Sequence, residues 1–291
     1  MATELLVVIV GPTASGKTSL AVEVALELGG EVISADSRAI YKGMDIGTAK
    51  PSIDDMRGIT HWGIDIVEPG EHFTVADFKE FADAKIKDIT SRGKVPILVG
   101  GSGLYIDAVV YDYEFGGNVD PKLRSELDKL DVESLQKYCI SHNIELPENN
   151  KNKRYLIRAI EQKGVNNKRQ GSIKDNIFMY GLRFESEIIK QRIADRFDEM
   201  LKQNVVDETS KLIAKYGKNM NIYTGSVYRP CIDYMDGAIS LDELKQRVLK
   251  SDMKLVKKQN TWFRRNKYIK WCDITEAKSR IIDDIAAYMI K

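Results

Sequence analysis

The chain has 291 residues, 43% hydrophobic and 30% charged, with a net charge of +1, which suffices for the core of one large domain or of a domain carrying an insertion. No apolar run approaches the roughly 18 residues of a membrane-spanning helix, and the start, Met1-Ala2-Thr3-Glu4, lacks the basic region of a signal peptide. Cys139, Cys231 and Cys272 show no paired spacing, which excludes a disulfide framework or zinc cluster and leaves buried free thiols in a cytoplasmic protein as the expectation.

Leu5 to Val10 is a continuous apolar run, the pattern of a strand covered on both faces of a parallel sheet. After a glycine-rich turn, Leu20, Ala21, Val24, Ala25 and Leu28 recur at helical spacing, and Gly29-Gly30 supplies a stop. Further strands are expected at Val32 to Ala35, Ile64 to Val67 and Val95 to Val99. Between the last two, Thr74 and Asp77 form a capping-box pattern ahead of a helix whose inner face is Val75, Phe78, Ala82, Ile86 and Ile89. Strand signals fade after Tyr113, and polar helices follow, with loops at Gly116-Gly117 and at Pro147 to Asn150. Past the apolar stretch Ile177 to Leu182 the remainder reads as helical, with Ser186 and Ser240 as N-caps and Glu243 completing a box with Ser240. The expected fold is therefore α/β: a parallel-sheet core of residues 1–115, a helical insertion of residues 116–176, and the rest of the core with C-terminal helices in residues 177–291.

Positive charge is concentrated in two places. Lys151 to Arg169 holds seven Lys or Arg against one Glu, and Lys254 to Lys270 holds seven with no acid. Such runs fit either a nucleic-acid partner or plain solvated helix faces.

Gly11-Pro12-Thr13-Ala14-Ser15-Gly16-Lys17-Thr18 matches the P-loop pattern, placed between the first strand and the first helix. Backbone N–H groups in such a loop turn toward phosphate oxygens, the helix N-terminus adds positive potential, Lys17 adds a full charge, and the Thr18 hydroxyl is placed for Mg²⁺. The ligand is a phosphate ester. Val95 to Val99 runs into Gly100-Gly101-Ser102-Gly103 where a motor-type NTPase would carry a magnesium-binding Asp, which argues against a switch or motor. Asp36 ends the second strand, on the edge where α/β sheets present ligands, and suits a general base; an Asp-Ser pair there equally suits a turn cap. From these residues, two enzyme classes remain open, a P-loop small-molecule or nucleotide kinase and a transferase with diphosphate as leaving group. A non-enzymatic RNA-binding module is a third reading.

Ser34-Ala35-Asp36-Ser37-Arg38 and Tyr41 through Pro51 closely resemble the signature of tRNA dimethylallyltransferases. The resemblance continues through His61 to Val67, Gly100 to Tyr105, Lys153 to Ala159, Arg192 to Glu208, and Gln259 with Thr261-Trp262-Phe263, and so covers nearly the whole chain. It implies a P-loop NTPase-like fold used on dimethylallyl diphosphate, with Mg²⁺, to prenylate an adenosine in the anticodon stem-loop of tRNA. In that family's terms Gly11 to Thr18 grip the diphosphate, Arg196 neutralises the departing charge, and Arg192, one turn earlier, shares the task. Thr13 acts with Asp36 and Arg196 in catalysis, and Asp36 takes the proton from the attacking amine. Asp36, Ser37, Arg38, Ala39, Ser102, Arg124, Lys153, Arg154, Tyr155, Leu156 and Ile157 would contact tRNA, and the enzyme would work as a monomer. Four departures stand out. Ala39 replaces a usual glutamine and predicts weaker base recognition, Ser102 replaces threonine, Lys258 replaces arginine, and Gly225 to Pro230 departs from the usual Gly-Tyr pattern.

Overall fold

The computed structural model describes residues 5–115, 120–162, 172–219 and 221–290. The four N-terminal residues, the Gly116-Gly117 loop and Lys163 to Arg169 of the first basic segment lie outside them. The chain divides into two compact units, residues 1–110 with 173–291, and residues 111–172.

In the larger unit, Leu6–Val10 (β1) is buried along its whole length. Full burial of a Val- or Leu-sized side chain stabilises by about 1.5–3 kcal/mol, so this strand is a rigid base for the loop at its end. Lys17–Leu28 (α1) follows, closed by the left-handed Gly29. Gly30–Ala35 (β2), the short Ile53–Met56 (α2), His61–Trp62 (β3), Val75–Ser91 (α3), Val95–Gly100 (β4) and Gly103–Val110 (α4) continue the alternation. Thr74 and Asp77 form the expected capping box on α3. In the smaller unit Pro121–Leu127 (α5), Val132–Ser141 (α6) and Lys153–Glu161 (α7) close around Leu127, Leu135, Cys139, Leu156, Ile157 and Ile160.

The chain returns to the larger unit with Ile177–Arg183 (β5), then Ser186–Lys202 (α8), Val205–Tyr216 (α9), Tyr228–Met235 (α10), Leu241–Phe263 (α11), Ile269–Asp273 (β6) and Ile274–Met289 (α12). Six parallel strands form one sheet in the order β3-β2-β4-β1-β5-β6. Leu5, Val7 and Ile9 face α1 and α12, while Val8 and Val10, pointing the other way, are also buried. β1 thus lies centrally, and its carboxyl end opens between strands visited in different passes of the chain, where α/β sheets hold ligands. All three cysteines are free and buried. Among the described residues no helix is long and apolar enough to cross a membrane.

Three sequence expectations are corrected. The strand expected at Ile64 to Val67 lies earlier, at His61–Trp62. Gly63 and Asp65 take φ of 87° and 55°, outside strand geometry, and the N–H groups of Asp65, Ile66 and Val67 donate to carbonyls of Ala39 and Ile40 in the loop after β2. The C-terminal part is not all helical, because β6 adds an edge strand: Ile269 and Cys272 are buried while Lys270 and Asp273 are exposed, so the apolar run that marks a central strand is missing. Ser186 is not a cap, since Glu185 holds that position without a side-chain cap bond, whereas Ser240 does form its box with Glu243.

Candidate active site

Ala14 and Gly16 adopt left-handed backbone, φ 60° and 79°, within the loop between β1 and α1. Such alternation directs successive amides inward and makes an anion-binding concavity. Thr13 through Thr18 line a cavity of about 220 Å³ whose other walls include Ser34, Asp36, His61 and Arg196. The Lys17 ammonium donates to the Pro12 carbonyl at 3.1 Å, and burial lowers its pKa to about 8. An anion bound beside it raises that pKa, so affinity is full below pH 8 and declines as pH rises through the pKa of the complex. Titration calorimetry with inorganic pyrophosphate should therefore find binding weakening above about pH 8, with Lys17→Gln weak and nearly pH-independent over the same range; a parent affinity flat to pH 10 would contradict this.

A second cavity, about 450 Å³, meets the first, and the two share Thr13, Asp36, Thr48, Ala49 and Arg196. At this seam Arg196 of α8 donates from Nη1 to Thr13 Oγ1 at 2.9 Å and from Nη2 to Asp252 Oδ2 of α11 at 2.8 Å. Asp252 is 2% exposed, and its Oδ1 has no partner. A buried carboxylate needs a fixed cation, and here it holds the guanidinium against the P-loop. Gln259 of α11 continues the brace, accepting from Thr13 N–H at 2.9 Å and donating to the Gly101 carbonyl at 3.1 Å. Asp252 escaped the sequence reading although a signal was there: it stands in the buried stripe Leu244, Val248, Asp252, Val256 of one helix, and an acid in such a stripe demands a buried partner.

Asp36 Oδ1 accepts from Arg38 N–H at 2.8 Å and Ala39 N–H at 3.4 Å, so the turn-cap reading describes this oxygen. Both bonds end on one oxygen, which leaves the other for substrate. Ser102 Oγ accepts from Ser37 N–H at 3.1 Å and ties the end of β4 to this turn, and Arg38 Nη2 donates to Thr224 Oγ1 at 3.0 Å. The wall carrying Thr48 and Ala49 is set by Glu208 of α9, a residue with no assigned role in the sequence reading. Its carboxylate accepts from the N–H groups of Asp45, Ile46 and Gly47 at 2.8–3.0 Å and from the Tyr228 hydroxyl at 2.8 Å. Gly47 is required there, because a Cβ would lie 2.5 Å from the Tyr228 ring.

Other expected site residues sit apart from the seam. Arg192 stacks its guanidinium over the Phe184 ring at 5.0 Å and lies near Gly16 rather than in either cavity. Pro12 and Gly11 do not line the P-loop cavity; Gly11 is buried behind it, against Ser15. Ala39 is buried and borders the P-loop cavity, not the larger one. In the smaller unit Arg124 pairs with Glu161 at 2.9 Å, and Lys153 Nζ donates to the Asp128 carbonyl at 2.7 Å. The helical period of α7 turns Arg154 and Tyr155 outward but seals Leu156 and Ile157 in the core at 0% and 1% exposure. Those two side chains are corrected from RNA contacts to packing residues.

Among the described residues no group of three or more His, Cys, Asp or Glu could hold a metal. The Thr18 hydroxyl lines the P-loop cavity, which fits a hard cation whose remaining ligands are phosphate oxygens and water.

The IPP transferase family pattern matches residues 39–266. A tRNA dimethylallyltransferase of Pelotomaculum thermopropionicum is 41% identical, covering 93% of this chain and 91% of that protein. One of Geobacillus thermodenitrificans is 38% identical, covering 94% and 92%. The crystal structure of a tRNA isopentenylpyrophosphate transferase from Bacillus halodurans superposes with a TM-score of 0.75 at 35% identity, covering 98% of this chain and 96% of that one.

Proposed function

Because the chain belongs to the IPP transferase family, we infer that it transfers a dimethylallyl group from dimethylallyl diphosphate to N6 of the adenosine 3′-adjacent to the anticodon of tRNA, position 37, releasing diphosphate. Relatives covering nearly the whole chain bear tRNA prenyl transfer in their names, which favours this reading over a P-loop kinase. The observation that carries it is the seam: a phosphate-binding cavity and a larger one meet at Asp36, Thr13 and Arg196.

The P-loop amides and Lys17 hold the diphosphate in the smaller cavity. The Thr18 side chain, in the lining of this cavity, would help to hold Mg²⁺, which would supply positive charge to offset that of the leaving group. The prenyl C1 points through the seam toward an adenine extruded into the larger cavity, as enzymes acting on a stacked base require. Met44, Met200 and Val227 supply apolar wall for the five-carbon group. N6 attacks C1, the C1–O bond breaks with its electron pair leaving on the diphosphate, and Asp36 accepts the N6 proton. Arg196, bonded to Thr13, sits where negative charge develops. The exposed basic residues of α7, Arg154 among them, are proposed to contact the anticodon stem. We propose further that the enzyme acts as a monomer in the cytoplasm.

Nucleoside mapping of an anticodon stem-loop after reaction is the test of position. Prenyl label is expected on the adenosine following the third anticodon base; label confined to another adenosine would overturn the assignment.

A further inference from the structure

The three side chains that bound the five-carbon group, Met44, Met200 and Val227, differ in what lies behind them. Val227 packs in a buried cluster with Phe197, Cys231, Ile239, Leu244 and Val248, and Met44 in another with Leu212, Tyr223, Tyr228 and Ile232. Met200 joins the first cluster and is 4% exposed, but it also lines a third cavity, of about 290 Å³, which Met44 and Val227 do not line. The larger and third cavities share Ala49, Arg196 and Met200, so these residues form the partition between them. Arg196 is pinned by Thr13 and Asp252. Ala49 carries a single methyl on a backbone fixed by its N–H bond to the Ile46 carbonyl at 2.9 Å. Met200 is the remaining part, one helical turn beyond Arg196 on α8, and it fills the gap with an unbranched, flexible chain.

We propose that Met200 sets the length of prenyl chain the enzyme accepts. It closes the donor pocket at five carbons, and beyond it the third cavity has room for the second isoprene unit of a ten-carbon allylic diphosphate. This role rests on the prenyl-transfer reading of the site. Ile46, Ala49 and Pro51 supply apolar surface in the third cavity. A longer chain directed at Val227 or Met44 meets packed side chains instead, and an interior packed to crystal-like density yields little volume. The chemistry does not depend on chain length: N6 bonds to C1, the C1–O bond breaks onto the diphosphate, and Asp36 takes the proton. Discrimination between donors is therefore steric. A hydrophobic pocket separates substrates differing by one methylene by about 10–200-fold, so the parent should favour dimethylallyl over geranyl diphosphate by at least about 10²-fold.

The test is the ratio of kcat/KM for dimethylallyl and geranyl diphosphate on one unmodified tRNA, read by mass spectrometry of the nucleosides. Met200→Ala is expected to lower the preference for the shorter donor by roughly 10–10²-fold, by gaining on geranyl and losing on dimethylallyl. Met200→Leu, close in volume, should keep the parental ratio within a few-fold. Val227→Ala, which opens onto a packed cluster rather than a cavity, should shift the ratio less than Met200→Ala. Melting temperature and pyrophosphate affinity report that each variant is folded, the affinity staying parental because Met200 does not line the P-loop cavity. Met200→Val carries the same test where the alanine variant unfolds. A parental ratio in the folded Met200 truncation overturns the proposal, and so does an equal shift in Val227→Ala, which would make cavity volume at large the determinant. A parent chain that transfers neither donor to tRNA overturns the prenyl-transfer reading itself, a result distinguishable from the other two.

Discussion

Asp36→Asn is expected to lower the single-turnover rate of prenyl transfer by roughly 10²–10⁴-fold, the span of general-base catalysis, while tRNA affinity stays near that of the parent. The reasoning starts from the two oxygens of Asp36. Oδ1 is spent on the Arg38 and Ala39 amides, and an asparagine carbonyl accepts the same bonds, so the turn and the Ser37–Ser102 tie survive the substitution. What asparagine cannot do is take a proton from an attacking amine. Stability and RNA binding therefore serve as internal controls: an unchanged melting temperature with a collapsed rate assigns the loss to chemistry. A rate within a few-fold of the parent would remove Asp36 as the base and leave it a turn residue.

The second large effect concerns Arg196, whose removal has two separable consequences. Loss of a preorganised positive group facing developing charge is expected to reduce the transfer rate by about 10²–10³-fold. Independently, Arg196→Ala strands Asp252, 2% exposed and with Oδ1 already unpartnered, and breaking a buried pair in this way costs about 3–5 kcal/mol of stability. Replacing both partners with apolar residues of similar volume, Arg196→Met with Asp252→Leu, should restore most of the stability, because no buried charge is left uncompensated. It should not restore the rate. Chemical denaturation beside single-turnover kinetics on both variants reads the two effects apart. Recovery of both stability and rate in the double variant would mean that Arg196 only holds α8 to α11.

How much of this was legible beforehand varies with the range of the interaction. The P-loop and β1 were readable because their chemistry is local: an apolar run, a glycine-rich turn with a lysine, and the helix that follows it. The capping boxes at Thr74 and Ser240 span four residues each and were equally plain. The failures came where distant segments decide. Ile64 to Val67 has strand composition, but positive φ at Gly63 and Asp65 turns it onto the loop after β2. β6 exists because β5 offers it an open edge, and its own sequence alternates too weakly to announce it. At the site, Asp36 was legible from its place at the end of the second strand, whereas Arg196 and the catalytic part of Thr13 were named from family resemblance. Asp252 acts through a partner 56 residues away on α8, and Glu208 through Tyr228, 20 residues away, and through the Asp45 to Gly47 loop, more than 160 away. Leu156 and Ile157 show the opposite error, a motif carried over whole although a helix must bury one of its faces.

The central claim is that this P-loop holds a leaving diphosphate and that a prenyl group, not a phosphoryl group, moves. The most direct measurement is transfer of radiolabelled dimethylallyl diphosphate into unmodified tRNA with Mg²⁺, run beside an ATP-consumption assay with small alcohol and nucleotide acceptors. Label in tRNA, with release of diphosphate and no ATP turnover, is the predicted result. ATP consumed on a small acceptor, with tRNA left unlabelled, would contradict it.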